Sequence, residues 1–240
     1  MHFLDLTLPT VAENLALDEA LLLEADAGRG QECLRLWESP VYAVVLGASG
    51  MVQNEVALAG CNRDDVPLFR RASGGGTVLM GPGCLCYSLI LSLDERPELR
   101  QVPSSYCYIM PKQSRALQPV VPHGQVHCAG SSDLAWEGRK FSGNAQRRVK
   151  RFLLHHGTIL YAFDLRRVTQ YLPMPPSQPA YRASRSHDEF LCNLPATATE
   201  LCQRLQESWQ AHTPAPDVPR ELVAQLVMEK YATAAWTHRR

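Results

Sequence analysis

The stretch SSDLAWEGRKFSGNAQRRVKRFLLHHGTILYAF, residues 131–163, predicts consecutive antiparallel strands. Strand-like residues stand on both sides of the dipeptide Glu137-Gly138, which is typical of a tight hairpin turn. The apolar run FLLHHGTILYAF then predicts a further strand. Connections this short join antiparallel neighbours, so this region predicts a largely antiparallel sheet.

Strands and helices follow one another in mixed order on both sides of this region. CLRLWE, VYAVVLG, PLFRR and CLCYSLILSL predict strands, the last of them long and buried. NLALDEALLLEA, residues 14–25, has the apolar spacing of an amphipathic helix. ATELCQRLQESWQAH and PRELVAQLVMEKYAT predict two closing helices, the second with Pro219 in its first turn. The fold class is therefore α+β, with a mixed, largely antiparallel sheet flanked by helices.

Two segments are less regular. Residues 104–117 have helical spacing but contain Pro111, which removes a backbone donor, so we expect a kink or two shorter turns. PMPPSQPAYRASRSHDEF contains four prolines and predicts a long connection over the surface. The sequence contains no repeat, low-complexity tract or interdomain linker, and residues 1–240 are expected to form a single catalytic domain.

Composition restricts the class of protein. The chain balances 24 lysines and arginines with 24 acidic residues, so no global field attracts nucleic acid or an anionic membrane. MHFLDLTLPTVAEN lacks a basic leader, and no apolar segment approaches the length of a membrane span. The eight cysteines form no CxxC pairs and lack the density of a secreted disulfide scaffold. We expect a soluble, cytoplasmic protein with reduced thiols.

The stretch RRASGGGTVLMGPG, residues 70–83, predicts a binding loop. Three consecutive glycines lack Cβ atoms and tolerate positive φ, so a ligand can approach the backbone closely. Arg70 and Arg71 supply positive charge immediately upstream, which favours an anionic small molecule. No GK[ST] follows and no GxGxxG spacing occurs, so the common phosphate-binding loops do not fit. A flexible hairpin turn is the alternative interpretation.

A second candidate site follows the predicted hairpin turn. Lys140 stands just after Glu137-Gly138, where its ammonium can project from rigid backbone into a cleft beside small polar residues. An ammonium has three donors around a point charge and can contact a carbonyl oxygen and a phosphate oxygen together. That property suits activation of a carboxylate. An ordinary solvated lysine is the alternative.

Two further clusters are ambiguous. The basic run at residues 147–151 can contact a nucleotide or an acidic protein, or can be a solvated hairpin end. His155 and His156 are adjacent in a predicted strand and face opposite sides, which is unsuited to joint metal ligation. We expect one histidine to line the cleft and the other to be a hydrogen-bonded structural residue.

Several motifs together resemble the lipoate-protein ligase and octanoyltransferase family. NLALDEALL, RRASGGGTV, EGRKFSGNAQRR, LHHGTIL and EKYATAAW occur in the family's order, between about Leu4 and Trp236. The resemblance implies a fold related to the catalytic domain of biotin ligases, with lipoate in an apolar tunnel beside the glycine loop. It also implies that ATP, with Mg²⁺, converts lipoate to lipoyl-AMP. The lipoyl group then passes to a lysine of an acceptor, a lipoyl domain or a protein similar to the glycine-cleavage H protein.

The resemblance assigns the family's catalytic lysine to Lys140. The other candidate residues would bind substrate or the acyl adenylate: Arg70, Arg71, Ser73, Gly74, Gly75, Gly76, Thr77, Ser142, Gly143, Asn144, His156, Gly157 and Thr158. No acidic pair in the sequence identifies ligands for Mg²⁺. The choice between lipoate and octanoate stays open, because a tunnel that fits one usually admits the other.

Departures from the family pattern leave alternatives. Met80 stands where many members have a histidine, and nothing after Arg240 corresponds to the accessory domain of many ligases, so a separate accessory subunit is possible. An octanoyltransferase would move octanoate from acyl carrier protein through a cysteine thioester, for which Cys128 is the candidate nucleophile. A third alternative is a non-catalytic lipoyl-binding or partner-dependent subunit. AGSSDL resembles the ligase segment, which favours the ligase.

Overall fold

The apolar run at residues 84–92 forms the centre of the fold. The computed structural model describes residues 1–215 and 217–239. In it, strand β6 (Cys84–Ser92) is buried along its whole length between β2 (Cys33–Glu38) and β10 (Phe152–Leu160), both antiparallel to it. A strand that is covered on both faces needs a nearly continuous apolar sequence, and CLCYSLILS supplies one. The prediction of a long buried strand is confirmed.

The larger sheet is mixed and largely antiparallel, which confirms the predicted fold class. Its strands lie in the spatial order β11 (Thr213–Pro214), β1 (His2–Asp5), β2, β6, β10, β9 (Arg139–Arg148), β8 (Asp133–Trp136) and β7 (Val126–Ala129). Strand β1 pairs in parallel with β2 and with β11. The neighbouring pairs along the rest of the sheet, β2–β6, β6–β10, β10–β9, β9–β8 and β8–β7, are antiparallel. A smaller sheet has the order β4 (Leu68–Arg70), β3 (Ala43–Leu46) and β5 (Val78–Met80).

Helices cover both faces of the larger sheet. The helices are α1 (Val11–Asp26), α2 (Val52–Glu55), α3 (Leu58–Arg63), α4 (Val102–Leu117), α5 (Arg166–Tyr171), α6 (His187–Phe190), α7 (Ala198–Trp209), α8 (Arg220–Leu226) and α9 (Ala234–Thr237). Successive side chains of β6 point to opposite faces of the sheet. Leu85 and Leu89 pack with α4 and α7 on one face, whereas Cys86 packs with α1 on the other. Short 3₁₀ turns occupy Pro97–Leu99, Gln118–Val120 and Ala180–Arg182.

Capping residues fix where two predicted helices begin. Thr10 precedes α1 and forms a capping box with Glu13, so the helix predicted for residues 14–25 begins slightly earlier. Thr197 and Glu200 form the same box before α7. The final predicted helix is present as α8, but its last part, Val227–Tyr231, is a π-helical segment.

Helix α4 excludes one of the two forms expected around Pro111. The segment forms a single helix that runs through Pro111, rather than two shorter turns. Its inner face, which includes Ile109, Gln113 and Leu117, is buried against the sheet. Burial of this face stabilises the helix enough to offset the hydrogen bond that proline removes.

The predicted hairpin turn is confirmed. Trp136 pairs with Arg139, so Glu137 and Gly138 alone form the turn between β8 and β9. Both turn residues have positive φ, 51° and 70°, which matches a type I′ turn. This turn fixes the register of the hairpin, and therefore the position of Lys140 within it.

The proline-rich connection, residues 173–190, is confirmed as a long irregular segment with a 3₁₀ turn and α6. We call it the strap. It does not simply cross the surface, because Gln178, Arg182 and His187 help to line the internal cavity described below. Among residues 1–215 and 217–239, no helix is long and apolar enough to cross a membrane.

Candidate functional site

A β-bulge sets the direction of Lys140. Along the hairpin, Leu134 pairs with Ser142 but Ala135 pairs with Lys140, which leaves Phe141 as an extra residue on β9. A bulge of this kind reverses the alternation of side chains on one strand and re-aims its neighbours. The sequence pattern alone does not indicate this shift.

Lys140 folds back over a glycine and meets a carboxylate. A Cβ atom on Gly143 would lie 2.8 Å from Nζ of Lys140, so the ammonium occupies space that only glycine leaves free. The Nζ atom forms an ion pair with Oδ1 of Asp133 at 2.8 Å. The second carboxylate oxygen, Oδ2, accepts a 2.8 Å hydrogen bond from the hydroxyl of Tyr181. The lysine is therefore held at a defined place.

The glycine loop lies beside the same strand. Gly75 has φ of 87°, and its Cβ position lies 3.6 Å from Cβ of Ala145 on β9. Gly47 passes so close that a Cβ there would lie 1.9 Å from the carbonyl oxygen of Gly75. Apart from their chain neighbours, no atom of residues 1–215 and 217–239 lies within 4 Å of the Cβ positions of Gly74 and Gly76. Of the three consecutive glycines, Gly75 is therefore the one whose conformation requires glycine.

Arg71 organises the loop from within. Its Nη2 atom donates to the carbonyl oxygens of Gly74 and Gly76, at 2.5 and 2.9 Å, and its Nε atom donates to Ser73 Oγ at 3.0 Å. The side chain also lines the cavity. Burial lowers the pKa of Arg71 to about 10, although Glu55 opposes that shift. The guanidinium is charged at neutral pH and combines loop support with positive charge.

Arg70 lies away from the cavity, although it was a candidate for substrate binding. The guanidinium is fully buried and donates to the carbonyl oxygens of Gly47, Gly50, Trp236 and Thr237 at distances between 2.7 and 3.0 Å. Buried carbonyl groups need donors, and a planar guanidinium reaches several of them at once. Arg70 therefore joins the carboxy-terminal segment to the beginning of the glycine loop.

A cavity of about 470 Å³ brings most of the predicted residues together. This volume lies in the range of small-molecule sites. The predicted residues that line it are Arg71, Gly75, Gly76, Thr77, Lys140, Ser142, Gly143, Asn144, His156, Gly157 and Thr158. Its apolar lining includes Leu15, Trp37, Val78, Met80, Cys86 and Phe163. Polar donors and an apolar compartment therefore share one cavity.

The side chain of Asn144 lies over Gly157, which has no side chain, and bonds to Tyr87 on the far side. Tyr87, Gly157 and Asn144 are paired across three neighbouring strands, and the Tyr87 hydroxyl donates to Oδ1 of Asn144. A Cβ on Gly157 would lie 1.9 Å from that oxygen. The Nδ2 atom of Asn144 donates to the carbonyl of Ser132 at 2.8 Å, so both ends of the amide are fixed.

The two adjacent histidines separate as the sequence predicts. His156 lines the cavity, and its Nε2 lies 2.5 Å from Oγ of Ser73, while its Nδ1 lies 3.7 Å from Oδ2 of Asp18. Ser73 itself is buried behind the cavity wall. His155 is fully buried on the opposite face, and burial lowers its pKa to about 3. His155 is therefore a neutral structural residue with Tyr87 and Gln146 as partners.

The buried carboxylate of Asp18 is neutralised by a buried arginine, Arg35. Arg35 forms an ion pair with it at 2.5 Å, and Ser88 donates to its second oxygen at 2.7 Å. Burial alone would raise the pKa of Asp18, but Arg35, His156 and Ser88 outweigh burial and hold it below its ordinary value. Asp18 is therefore ionised and gives His156 a fixed partner.

Cys128 does not belong to this arrangement. It is exposed on the edge strand β7, does not line the cavity, and has its pKa raised by partial burial of the thiol and by Cys107. Nucleophilic thiols need a lowered pKa. Cys86 lines the cavity, but the side chain of Cys84 and burial raise its pKa as well.

The basic run at residues 147–151 is divided among several contacts. Arg147 forms an ion pair with Glu19 at 3.2 Å and donates to the carbonyl of Ala72 in the glycine loop at 3.2 Å. Arg148 donates to the carbonyl of Leu99. Only part of the run is therefore a solvated hairpin end. Within the described residues, no group of three or more His, Cys, Asp or Glu side chains is arranged to hold a metal ion.

The sequence did not point to Asp133 or Tyr181. For Asp133 a signal existed, because a two-residue turn at 137–138 brings residue 133 opposite the segment that follows Lys140. Tyr181 lies in the strap, and no local pattern connects it to the hairpin. Arg182 and His187 also line the cavity from the strap, where both are buried.

A family model supports the resemblance. The model described as "Lipoyl protein ligase A/B catalytic domain" matches residues 10–213. A Mycoplasma pneumoniae protein named "Probable lipoate-protein ligase A" is 31% identical over 209 residues, which are 83% of this chain and 60% of that protein. The chain therefore spans about 60% of the length of this curated relative.

Solved structures share the fold. A bi-partite lipoate protein ligase of Thermoplasma acidophilum, studied with its E2 lipoyl domain, aligns with a TM-score of 0.82 at 21% identity, over 99% of this chain and 95% of that chain. A lipoate-protein ligase A bound with ATP aligns with a TM-score of 0.77 at 21% identity, over 99% of each chain. At these identities the likeness establishes the fold.

Proposed function

Because the chain belongs to the lipoyl protein ligase A/B catalytic domain family, we propose that it is an ATP-dependent lipoate-protein ligase. One observation carries this proposal: Lys140, on β9, and Gly75, in the glycine loop that lies against β9, line the same cavity. Gly143 lies beneath the Lys140 ammonium, and Ala145 touches the Gly75 position. Gly143 and Ala145 are two positions apart on the strand, about 7 Å, so a small anionic group would fit between the ammonium and the loop.

The apolar lining accounts for selection of a fatty acid. Burial of about six methylene groups contributes about 5 kcal/mol, at about 0.8 kcal/mol for each group. This energy selects a tail and performs no chemistry. The reaction depends on the polar groups around Lys140.

The chemistry of the proposal has two steps. A carboxylate oxygen of lipoate attacks the α-phosphorus of ATP, and pyrophosphate leaves. The amine of the acceptor lysine then attacks the acyl carbon, AMP leaves, and the amine loses a proton. Lys140 donates hydrogen bonds to the acyl carbonyl and to a phosphate oxygen. Positive charge that is already in place stabilises the developing oxyanion, an effect of about 10² to 10³ in rate.

The other cavity residues have supporting roles in this proposal. Arg71 keeps the glycine loop in the conformation that borders the adenylate, and Asn144 offers a fixed amide to the substrate. ATP is supported by the similar structure that contains it. Mg²⁺ that accompanies ATP would take one or two carboxylates together with phosphate oxygens. Glu55 supplies a carboxylate in the cavity, where its oxygens accept hydrogen bonds from the amide of Met51 and the hydroxyl of Thr77.

The proposal extends to the partners and the setting. The similar Thermoplasma acidophilum ligase was studied with an E2 lipoyl domain, which supports a lipoyl domain as the acceptor. Its bi-partite nature supports a separate accessory subunit beside this chain, with residues 1–240 acting as one catalytic domain. All eight cysteines are free, which supports a reducing compartment such as the cytoplasm.

The direct test measures the mass of a lipoyl-acceptor domain after incubation with this protein, lipoate and ATP. We expect ATP-dependent lipoylation that Lys140→Ala slows by about 10² to 10³. Lys150→Ala is the matched control, because Lys150 is exposed at the turn between β9 and β10. It should leave the rate unchanged, as should Cys128→Ala.

Different outcomes separate the alternatives. Transfer of octanoate from acyl carrier protein without ATP, with an adduct on Cys128, would contradict the proposal and establish the transferase. If the chain transfers supplied lipoyl-AMP but forms none from ATP and lipoate, activation requires a partner subunit. Binding of lipoyl-AMP without any transfer would indicate a non-catalytic protein.

A further inference from the structure

One contact between the strap and the hairpin that carries Lys140 is made through a buried carboxylate. Asp133 is 8% exposed, and its two oxygens are engaged by different segments of the chain. Oδ1 pairs with Nζ of Lys140 at 2.8 Å, and Oδ2 accepts from the hydroxyl of Tyr181 at 2.8 Å. Tyr181 is the one member of this chain of contacts that comes from the strap.

Tyr181 itself is firmly held. Its ring packs against Phe190 with a centroid distance of 5.1 Å. Arg185 donates to the carbonyl of Tyr181 and to that of Gly138 in the hairpin turn, both at 2.9 Å. Ala183 and the following residue adopt positive φ, 50° and 59°, a strained conformation that persists only when its surroundings impose it.

Hydrogen bonds to backbone carbonyl groups also join the hairpin to the strap and to the residues just after it. Arg139 donates to the carbonyl of Asp188 at 2.7 Å. The amide of Cys192, just after the strap, donates to the carbonyl of Lys140 at 2.9 Å. The position of Tyr181 relative to Lys140 therefore does not depend on a single hydrogen bond.

A lysine side chain needs such support. It has four rotatable bonds, and one contact to a carboxylate that can itself rotate leaves the ammonium poorly placed. The Tyr181 hydroxyl stops rotation of the Asp133 carboxylate. With one N–H directed at Oδ1, Lys140 keeps two donors for a substrate. Burial and the nearby Asp133 charge raise the pKa of Tyr181, so the hydroxyl stays a donor at neutral and mildly alkaline pH.

We propose that Tyr181 is a positioning residue for Lys140 and that it acts through the carboxylate of Asp133. The kinetic consequence of this proposal rests on the proposed function, because adenylate formation would then depend on the position of the strap against the hairpin. Its geometric part, the placement of the Lys140 ammonium, does not require that function.

The first experiment uses Tyr181→Phe, which removes the hydroxyl and keeps the ring that packs on Phe190. Lipoate-dependent exchange of pyrophosphate into ATP measures adenylate formation. We expect kcat to fall about 10-fold or more, because a hydrogen bond to a charged group is lost, while KM for lipoate changes less than about 3-fold. Tyr161→Phe is the matched control, since it removes a tyrosine–carboxylate bond of 2.8 Å to Glu38 outside the cavity.

A double-mutant cycle tests the route through Asp133. If Tyr181 acts through that carboxylate, Tyr181→Phe causes no further loss of kcat in an Asp133→Asn background. Additive losses would overturn the proposal. A fall in kcat with an equal rise in KM and a lower melting temperature would show a structural role only, and would overturn it as well.

A spectroscopic measurement is independent of activity. Reductive methylation with ¹³C-formaldehyde labels Lys112, Lys140, Lys150 and Lys230, and NMR then reports each methylated amine. We expect Tyr181→Phe to shift and broaden the Lys140 signal alone. An unchanged Lys140 signal overturns the proposal. If the signal responds but the wild-type protein neither catalyses lipoate-dependent exchange nor transfers supplied lipoyl-AMP to the acceptor, the positioning role stands and the proposed function fails.

Discussion

Three glycines outside the triple-glycine run make room for the groups that line the cavity. A Cβ on Gly143 would meet the Lys140 ammonium, one on Gly157 would meet Asn144, and one on Gly47 would meet the Gly75 carbonyl. The contacts at Gly157 and Gly47 are with a fixed amide and with backbone, whereas the contact at Gly143 is with the flexible end of a side chain. Substitution at Gly143 should therefore affect function more than folding.

Gly143→Ala tests this difference. The new methyl group displaces an ammonium that lies 2.8 Å away, and the lysine can swing aside without disturbing the backbone. We expect the unfolding free energy to change by less than about 1 kcal/mol, while lipoylation falls by about 10². Chemical denaturation and the acceptor-mass assay measure the two quantities. Gly74→Ala should retain most activity, because within the described part of the chain only sequence neighbours lie within 4 Å of that Cβ position. A fully active Gly143→Ala would contradict the assigned place of Lys140.

At the scale of an element, β10 separates two histidines that are adjacent in the sequence. The period of a strand sends His156 to the cavity and His155 to the buried side beneath α4. The sequence predicts this separation but not which histidine takes which face, because that depends on the packing of α1 and α4. The same strand carries Gly157, whose bare backbone lets Tyr87 reach Asn144.

His155 should make stability depend on pH. Burial lowers its pKa to about 3 in the folded protein, from about 6.5 in the unfolded chain. Between these values only the unfolded chain binds the proton, so the unfolding free energy is full above pH 6.5 and falls as the pH decreases. The slope is about 1.4 kcal/mol per pH unit. Urea denaturation between pH 7 and pH 4.5 measures it.

A variant identifies the source of the slope. His155→Gln keeps an amide for hydrogen bonding and cannot titrate, so its unfolding free energy should vary less with pH in this range. Part of the slope should remain, because burial also lowers the pKa of His187. The lowered pKa of Asp18 acts at more acidic pH, below its ordinary value of 3.8, and does not overlap this window. An equal slope in the variant would show that another group is responsible.

At the scale of the whole molecule, the sequence predicts those features that depend on a local pattern of residues. The hairpin turn at 137–138, the buried strand β6 and the helix α1 follow from turn chemistry and apolar spacing. The strap's place over the cavity, the Tyr181–Asp133 contact across 48 residues and the Arg70–Thr237 contact across 167 residues do not. Such contacts depend on how helices, strands and loops that are distant in sequence pack together, and no local sequence pattern predicts them.

The carboxy-terminal segment shows the consequence of one such long-range contact. Lys230 and Tyr231 both bond the buried carboxylate of Glu19 on α1. The indole N–H of Trp236 donates to the carbonyl of Arg70 at 2.7 Å, and the ammonium of Lys230 lies 4.2 Å from the Trp236 ring centroid. The carboxy-terminal segment therefore holds Arg70, the first residue of the glycine loop, on the side away from the cavity.

Arg70→Lys tests this support. Lysine keeps the charge but loses the planar fork that reaches carbonyl groups from Gly47 to Thr237, so buried acceptors lose their donors. We expect the unfolding free energy to fall by about 3 to 5 kcal/mol, and lipoate binding to weaken because the loop is released. Denaturation and calorimetric titration with lipoate measure these effects. Arg166→Lys is the control, since that side chain is 86% exposed and should change stability by less than about 0.5 kcal/mol. Equal stability of both variants would show that the carboxy-terminal segment does not support the loop.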